Sequence, residues 1–170
     1  MKVLGIDPGL VITGYGVLEQ EGGRTHLLEA GVLDSGTSAD ELPVRLRRLH
    51  DEMHALIRDH QPDVMALEQL YSHYQHPRTA ILMGHARGVI CLVAGLHNLP
   101  LFHYAATEVK SSVTGNGRAS KEQIQHMVRS TFGLVETPEP PDAADAVAIG
   151  LCHIHRQGQT SYEDRVRALR

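Results

Sequence analysis

The chain has 170 residues, 42% of them hydrophobic and 21% charged, which suits one compact domain and excludes a disordered or fibrous protein. Aromatic residues make up only 4% and Trp is absent, so the core must rest on Leu, Val, Ile and Ala. The formal net charge is -4, which argues against a protein whose only task is to coat nucleic acid, because such domains are basic. The charge is unevenly spread, however. No Asp or Glu falls between Glu68 and Glu108, while Arg78, Arg87 and several His lie in that span, so one face can be positive on a mildly acidic protein.

Residues Met1 to Asp7 read as a short apolar strand stopped by Pro8-Gly9. Val11 to Glu19 reads as a second strand, Glu21-Gly22-Gly23 as a turn, and Thr25 to Asp34 as a third strand, together an antiparallel meander. Asp40 or a neighbour is expected to cap a helix whose apolar positions run from Leu42 through Leu49 and Met53 to Ile57. Pro62-Asp63 ends it, and Val64 to Leu67 is a short strand delivering Glu68. A long helix follows from about Pro77 to His97, then a strand from Leu101 to Tyr104 and a short helix from Ala106 to Val113. Ser120 caps a helix to about Phe132, Glu136 to Pro141 is a Pro-rich connector, and Asp142 opens a last helix to about Arg156. Antiparallel strands followed by helix-strand alternation predict a mixed-sheet α/β domain over residues 1–156, with 157–170 a polar tail expected to be loose. The start of the chain lacks the long apolar stretch of a signal peptide, and no segment offers eighteen uninterrupted apolar residues. Cys91 and Cys152 lie far apart in apolar runs, read as buried free thiols of a cytoplasmic protein.

Four carboxylates stand at element ends. Asp7 closes the first strand, where it projects at a sheet rim, although Asp before Pro-Gly also serves simply to cap a turn. Gly5, Gly9, Gly14 and Gly16 nearby are expected to leave room for a ligand close to the backbone. Glu68 finishes the apolar strand Val64 to Leu67, the place where open α/β sheets put their sites, or else is a surface Glu just past a strand. Asp142 and Asp145 are three apart and share one helix face. Helix capping and dipole stabilisation account for Asp142 equally well. Asp145 faces an apolar stretch, and a buried carboxylate needs a partner such as a metal ion. Clustered carboxylates bind hard cations such as Mg²⁺ or Mn²⁺ through oxygen, and a pair of such ions suits phosphodiester cleavage. Spacing alone cannot bring the four together. The twelve His form no metal motif and are expected mostly at the surface, and no Ser-His-Asp or Cys-His arrangement is apparent.

The segments GIDPG and TGYGV, ALEQLY around Glu68, GHARGV around Arg87, the stretch from Tyr104 to Val128 and DAADAVAI from Asp142 to Ile149 together resemble the RuvC family of Holliday-junction resolvases. They occur in that family's order and cover most of residues 3 to 155. The resemblance implies an RNase H-like fold, a five-stranded mixed sheet flanked by helices. It implies a homodimer that binds four-way junction DNA and nicks two strands symmetrically in recombination and repair. By the resemblance, Asp7, Glu68, Asp142 and Asp145 are the catalytic carboxylates holding two divalent ions, Mg²⁺ or Mn²⁺. Family members vary at Asp142, where His also occurs. Tyr71 stands where the family often carries a Phe that contacts a base near the cut, and Tyr also offers a stacking face. Lys110 and Lys121 match basic family positions, and each Lys can meet a phosphate. Arg78, Arg87, Arg118 and Arg129 are weaker candidates for the same role, Arg87 with the alternative of a structural part within its helix. The resemblance also implies a branch-migration motor, the RuvA and RuvB complex, as partner. The apolar helix from Ile81 to Leu96 either supplies part of the dimer interface or packs on its own sheet.

Three rivals remain at this level. GIDPG also resembles the phosphate loop of actin-like and sugar-kinase-type ATPases, although this chain is short for their two lobes. A non-catalytic junction-binding module would be expected to lack a carboxylate. A general ribonuclease H would share the fold and the ions.

Overall fold

The computed structural model describes residues 1–37, 39–70 and 77–168. Five strands form one sheet: β1 (Lys2–Asp7), β2 (Ile12–Glu21), β3 (Arg24–Asp34), β4 (Val64–Glu68) and β5 (Leu101–Tyr104), in the spatial order β3-β2-β1-β4-β5. β1, β2 and β3 are the expected antiparallel meander, closed between β2 and β3 by Gly22 and Gly23 at φ 56° and 80°, the left-handed region a two-residue hairpin turn demands. β4 joins β1 in parallel and β5 joins β4 in parallel. The sheet is thus mixed, as its element order predicts.

Five helices cover it: α1 (Leu42–His60), α2 (Pro77–Leu96), α3 (Ala106–Thr114), α4 (Lys121–Phe132) and α5 (Pro141–Ala168). Alternate strand residues point to opposite faces, which divides the core in two. Val3, Leu18, Val64 and Ala66 pack with α3, α4 and α5. Leu4, Ile6, Val17, Met65 and Leu67 pack with Leu49, Met53 and Leu56 of α1 and Ala86, Ile90 and Val93 of α2. Leu4, Ile6, Met65 and Leu67 are fully buried, each contributing about 1.5–3 kcal/mol of burial.

The glycines of β1 and β2 serve a purpose other than the one expected of them. A Cβ on Gly5 would lie 2.2 Å from the carbonyl oxygen of Ala146, and one on Gly14 would lie 2.0 Å from that of Asp142. The room they leave is filled by α5, which rests directly on the sheet backbone, rather than by a ligand.

A neighbour of Asp40 caps α1, as expected: Glu41 is the N-cap residue, without a side-chain bond, while the Asp40 carboxylate accepts from the Thr37 amide and from Arg48. Two other details differ from expectation. α5 runs on to Ala168, twelve residues beyond its expected end at Arg156, because no Pro interrupts the polar stretch and its residues are mostly adequate helix formers. His153 is buried, and its Nδ1 is hydrogen-bonded to the Tyr104 hydroxyl at 2.8 Å. Cys152 is buried and Cys91 half-buried, both free thiols. α2 is long and apolar enough, by length and composition, to cross a membrane, and little of it is buried.

Candidate active site

The strand register sets the site. Ile6 pairs with Leu67 across the parallel β1–β4 ladder, so Asp7 and Glu68 emerge side by side at the carboxyl ends of adjacent strands. Such a crevice beyond parallel strand ends is where open α/β sheets bind ligands. On the other strand beside β1, Gly14 stands opposite Asp7, and its missing side chain admits the first turn of α5. That turn brings in Asp142 and Asp145. Asp7, Glu68 and Asp145 line one cavity of about 320 Å³ together with Lys110, Lys121, Ala106 and Ile124.

Asp142 is half-buried beside the cavity, close enough for its charge to act on Asp7. Lys121 donates from Nζ to Oδ2 of Asp145 at 3.0 Å. That ion pair, and the bond within it first of all, pushes the Lys121 pKa up. Burial drives the Asp7 pKa from its ordinary 3.8 up to about 8, and Glu68, Asp145 and Asp142 add to the shift by repulsion. Burial also raises Glu68, opposed by its hydrogen bond with Asp7 and by the charges of Lys121 and Lys110. Burial thus disfavours the ionised form of both Asp7 and Glu68, most strongly that of Asp7.

Four acidic groups that offer only hard oxygen donors, one of them paired with a lysine, fit a divalent cation. A proton on Asp7 does part of the neutralising that a cation would do more completely. Among the described residues no three such side chains already close on one point as a metal cage. The carboxylates stand as an open set, Asp7 with Glu68 on the strand ends and Asp142 with Asp145 on the helix.

The remaining candidates are dispersed. Arg118 is exposed in the turn between α3 and α4, and Arg78 is exposed in the first turn of α2; neither lines the cavity. Tyr71 lies outside the described residues. One contact linked to the site escapes sequence reading. Arg87, expected either to meet DNA or to be structural within its own helix, donates from Nη1 to the backbone carbonyl of Glu68. Its place in an apolar helix 19 positions from Glu68 leaves no local signal of that contact.

Comparison with known proteins bears on the same residues. A family described as crossover junction endodeoxyribonuclease RuvC matches residues 3–153. A protein of that name from Rhodopirellula baltica is 57% identical over 150 residues, covering 88% of this chain and 84% of the relative. Among solved structures, Thermus thermophilus RuvC in complex with Holliday junction substrate superimposes with a TM-score of 0.85 at 32% identity, over 92% of this chain and 94% of that one. The yeast mitochondrial Holliday junction resolvase, at 16% identity and a TM-score of 0.71 over 99% and 84% of the two chains, shares the fold. The mixed sheet with its flanking helices is thus the RNase H-like fold of the resolvases. Strand-end carboxylates, a neighbouring pair of lysines and near full-length similarity lead to one conclusion: this chain belongs to the RuvC family of crossover junction endodeoxyribonucleases.

Proposed function

We propose that this chain resolves four-way DNA junctions by paired, symmetric nicks in recombination and repair, using Asp7, Glu68, Asp142 and Asp145 to hold two divalent ions, Mg²⁺ or Mn²⁺. The family is a metal-dependent nuclease family. The observation that carries the residue assignment is the convergence of Asp7, Glu68 and Asp145 in one cavity beside Lys110 and Lys121. When bound, the ions supply an activated water and charge stabilisation for the leaving oxygen. Asp7 would hold the ions as the ionised carboxylate. Asp145 would hold a cation together with the other carboxylates, and Lys121, which now donates to it, would meet the scissile phosphate. Lys110 meets the phosphate from the α3 side of the same cavity. Arg78, Arg118 and Tyr71 are assigned to the DNA beyond the cut, Tyr71 by stacking on a base.

A four-way junction is nearly two-fold symmetric, and two matched cuts call for two identical sites, hence a homodimer. The exposed stripe of α2 supports this reading. Ile81, Leu92 and Leu96 are 63%, 56% and 61% exposed, and a Cβ added at Gly84, Gly88 or Gly95 would meet open space. An apolar helix face of that size calls for a partner, and a second copy of the chain supplies one. Arg87 and His85 interrupt the same helix with polar groups, so protein rather than lipid is the assigned neighbour. A cytoplasmic site of action and a branch-migration motor of the RuvA and RuvB kind complete the reading.

Cleavage of a synthetic mobile junction in Mg²⁺ or Mn²⁺, with both nicks mapped, tests this directly. Symmetric nicks across the junction are expected. ATP turnover without DNA cutting would point to the kinase-type rival, and a preference for RNA–DNA hybrid would point to a ribonuclease H.

A further inference from the structure

The last carbonyl of β4 belongs to Glu68, and its hydrogen-bond partner comes from outside the sheet. Arg87, on the third turn of α2, donates to it from Nη1. Nη2 of the same guanidinium reaches Nδ1 of His103 at 2.6 Å. A guanidinium only donates, so Nδ1 of His103 accepts, and that ring is neutral with its proton on Nε2. His103 sits on β5 opposite Leu67, one residue before Glu68 in the β4–β5 register. The chain stays paired one step further, through the Gln69 amide to the Tyr104 carbonyl at 2.8 Å. A single planar fork thus spans the ends of two neighbouring strands at the point where the Glu68 side chain leaves the sheet. Among the described residues no carboxylate forms an ion pair with Arg87, and the two bonds shown both go to neutral acceptors.

We infer that Arg87 is a positioning residue for Glu68. The inference rests on the proposed role of Glu68 as an ion ligand. By holding the Glu68 carbonyl from α2 and anchoring against His103, the guanidinium fixes the peptide plane from which the carboxylate projects, beside Asp7. The rigid fork matters, because a lysine at this position reaches only one of the two acceptors. Arg87 also precedes Gly88 of the exposed α2 stripe, so the strand end is tied to the helix surface proposed for dimerisation.

The test is Mn²⁺ binding to the DNA-free protein, followed by the EPR signal of free Mn²⁺, with the Mn²⁺ needed for half-maximal junction cleavage as second readout. Arg87→Met is expected to weaken Mn²⁺ binding and to raise the half-maximal Mn²⁺ concentration, each by about tenfold, as loss of an outer partner of a ligand does. Junction binding in EDTA should stay at the parent level. Arg87→Lys should recover part of the loss, and His103→Leu should show a smaller shift in the same direction. A merely structural role would lower the melting temperature and leave the affinity of the folded protein for Mn²⁺ unchanged; that result in Arg87→Met overturns the inference. Should Arg87→Met not fold, His103→Leu decides, and a parental Mn²⁺ affinity there overturns it equally. Glu68→Gln separates the two layers. If Glu68→Gln binds Mn²⁺ like the parent, the ligand reading itself fails. If Glu68→Gln is weakened while Arg87→Met is not, only the positioning role fails.

Discussion

The two faces of the sheet are built on different terms. On one, α5 lies against bare backbone, with Gly5 and Gly14 opened to it and Ala143, Ala144, Ala146 and Ala148 all fully buried. On the other, α1 and α2 meet larger side chains such as Leu4, Ile6, Met65 and Leu67, and α2 leaves Ile81, Leu92 and Leu96 in solvent. The first face is spent largely within the chain, and its small residues fix where two acidic side chains arrive. The second is only half used within one chain. Closeness of packing here sets the precision of a site, while looseness marks a surface left for something else.

The largest effect should come at the join between β1 and the α5 face. Asp7→Asn removes one proposed ion ligand and should lower junction cleavage by about a thousandfold, the several kcal/mol that ion-borne charge stabilisation is worth, with junction binding retained in a gel-shift assay. Stability should move the other way. Asp7 has a folded pKa of about 8 against an ordinary 3.8. Its contribution is therefore fully present below the unfolded value and is lost as pH rises through that window. Near neutral pH the unfolded chain is ionised while the folded site still holds its proton. Asp7→Asn should thus melt higher than the parent in EDTA at pH 8, and the gap should close toward pH 4. An unchanged cleavage rate would remove Asp7 from the site, and an unchanged melting temperature would show that burial does not raise its pKa.

Next comes the close approach itself. Gly14→Ala would set a methyl group 2.0 Å from the carbonyl oxygen of Asp142, so α5 must shift. Overpacking of this kind costs about 1–3 kcal/mol. Because the shift displaces Asp142 and Asp145 from Asp7, cleavage per folded molecule should also fall. Denaturant melts and single-turnover cleavage measure the two parts. A variant that loses stability and cuts at the parental rate per folded molecule would show that the glycine contact fixes the core only.

Which of these features the sequence shows depends on how local they are. Asp7 before Pro8-Gly9 and Glu68 after Val64 to Leu67 are legible because an apolar run ending in a carboxylate marks a strand end directly. Asp142 and Asp145 are legible as partners on one helix face. Their meeting with Asp7 is not, because it depends on how deeply α5 settles onto β1 and β2. The glycines that allow it look, one by one, like space kept for a ligand. The Arg87 contact is illegible for a similar reason: its acceptors lie on β4 and β5, and no periodicity links them to a helix residue. His153, one of many His in a chain without a metal motif, gives no sign that it faces Tyr104. The resemblance to a family supplied the convergence that spacing could not.

The looser face offers a smaller effect. If a second copy covers α2, Leu92→Ala should weaken self-association by about tenfold, as truncation of a central interface side chain does, with the monomer's melting temperature nearly unchanged because Leu92 is already 56% exposed. Sedimentation equilibrium measures the first and dilute thermal melts the second. Coupled loss of both would show that the stripe belongs to the chain's own packing. An unaltered association constant would move the dimer contact elsewhere.

The smallest effect returns to the close-packed face. Burial lowers the pKa of His153 below its ordinary 6.5, and the Tyr104 hydroxyl occupies its Nδ1. Above the ordinary value the ring is neutral whether the chain is folded or not, so pH has no leverage. Below it the unfolded chain takes up a proton that the folded chain refuses, and stability falls with pH until the lowered folded pKa is reached. Asp7 acts with the opposite sign over part of the same range, so the comparison belongs in the Asp7→Asn background. There, His153→Gln keeps a hydrogen-bond partner for Tyr104 but cannot be protonated. The protein that retains His153 should lose melting temperature more steeply on going from about pH 7 to about pH 5.5 than its His153→Gln counterpart. The difference should not exceed roughly 1.4 kcal/mol, the worth of a tenfold change in proton affinity. Parallel slopes would mean that His153 charges freely in the folded state, which a ring sealed between β5 and a helix lying on bare backbone cannot do.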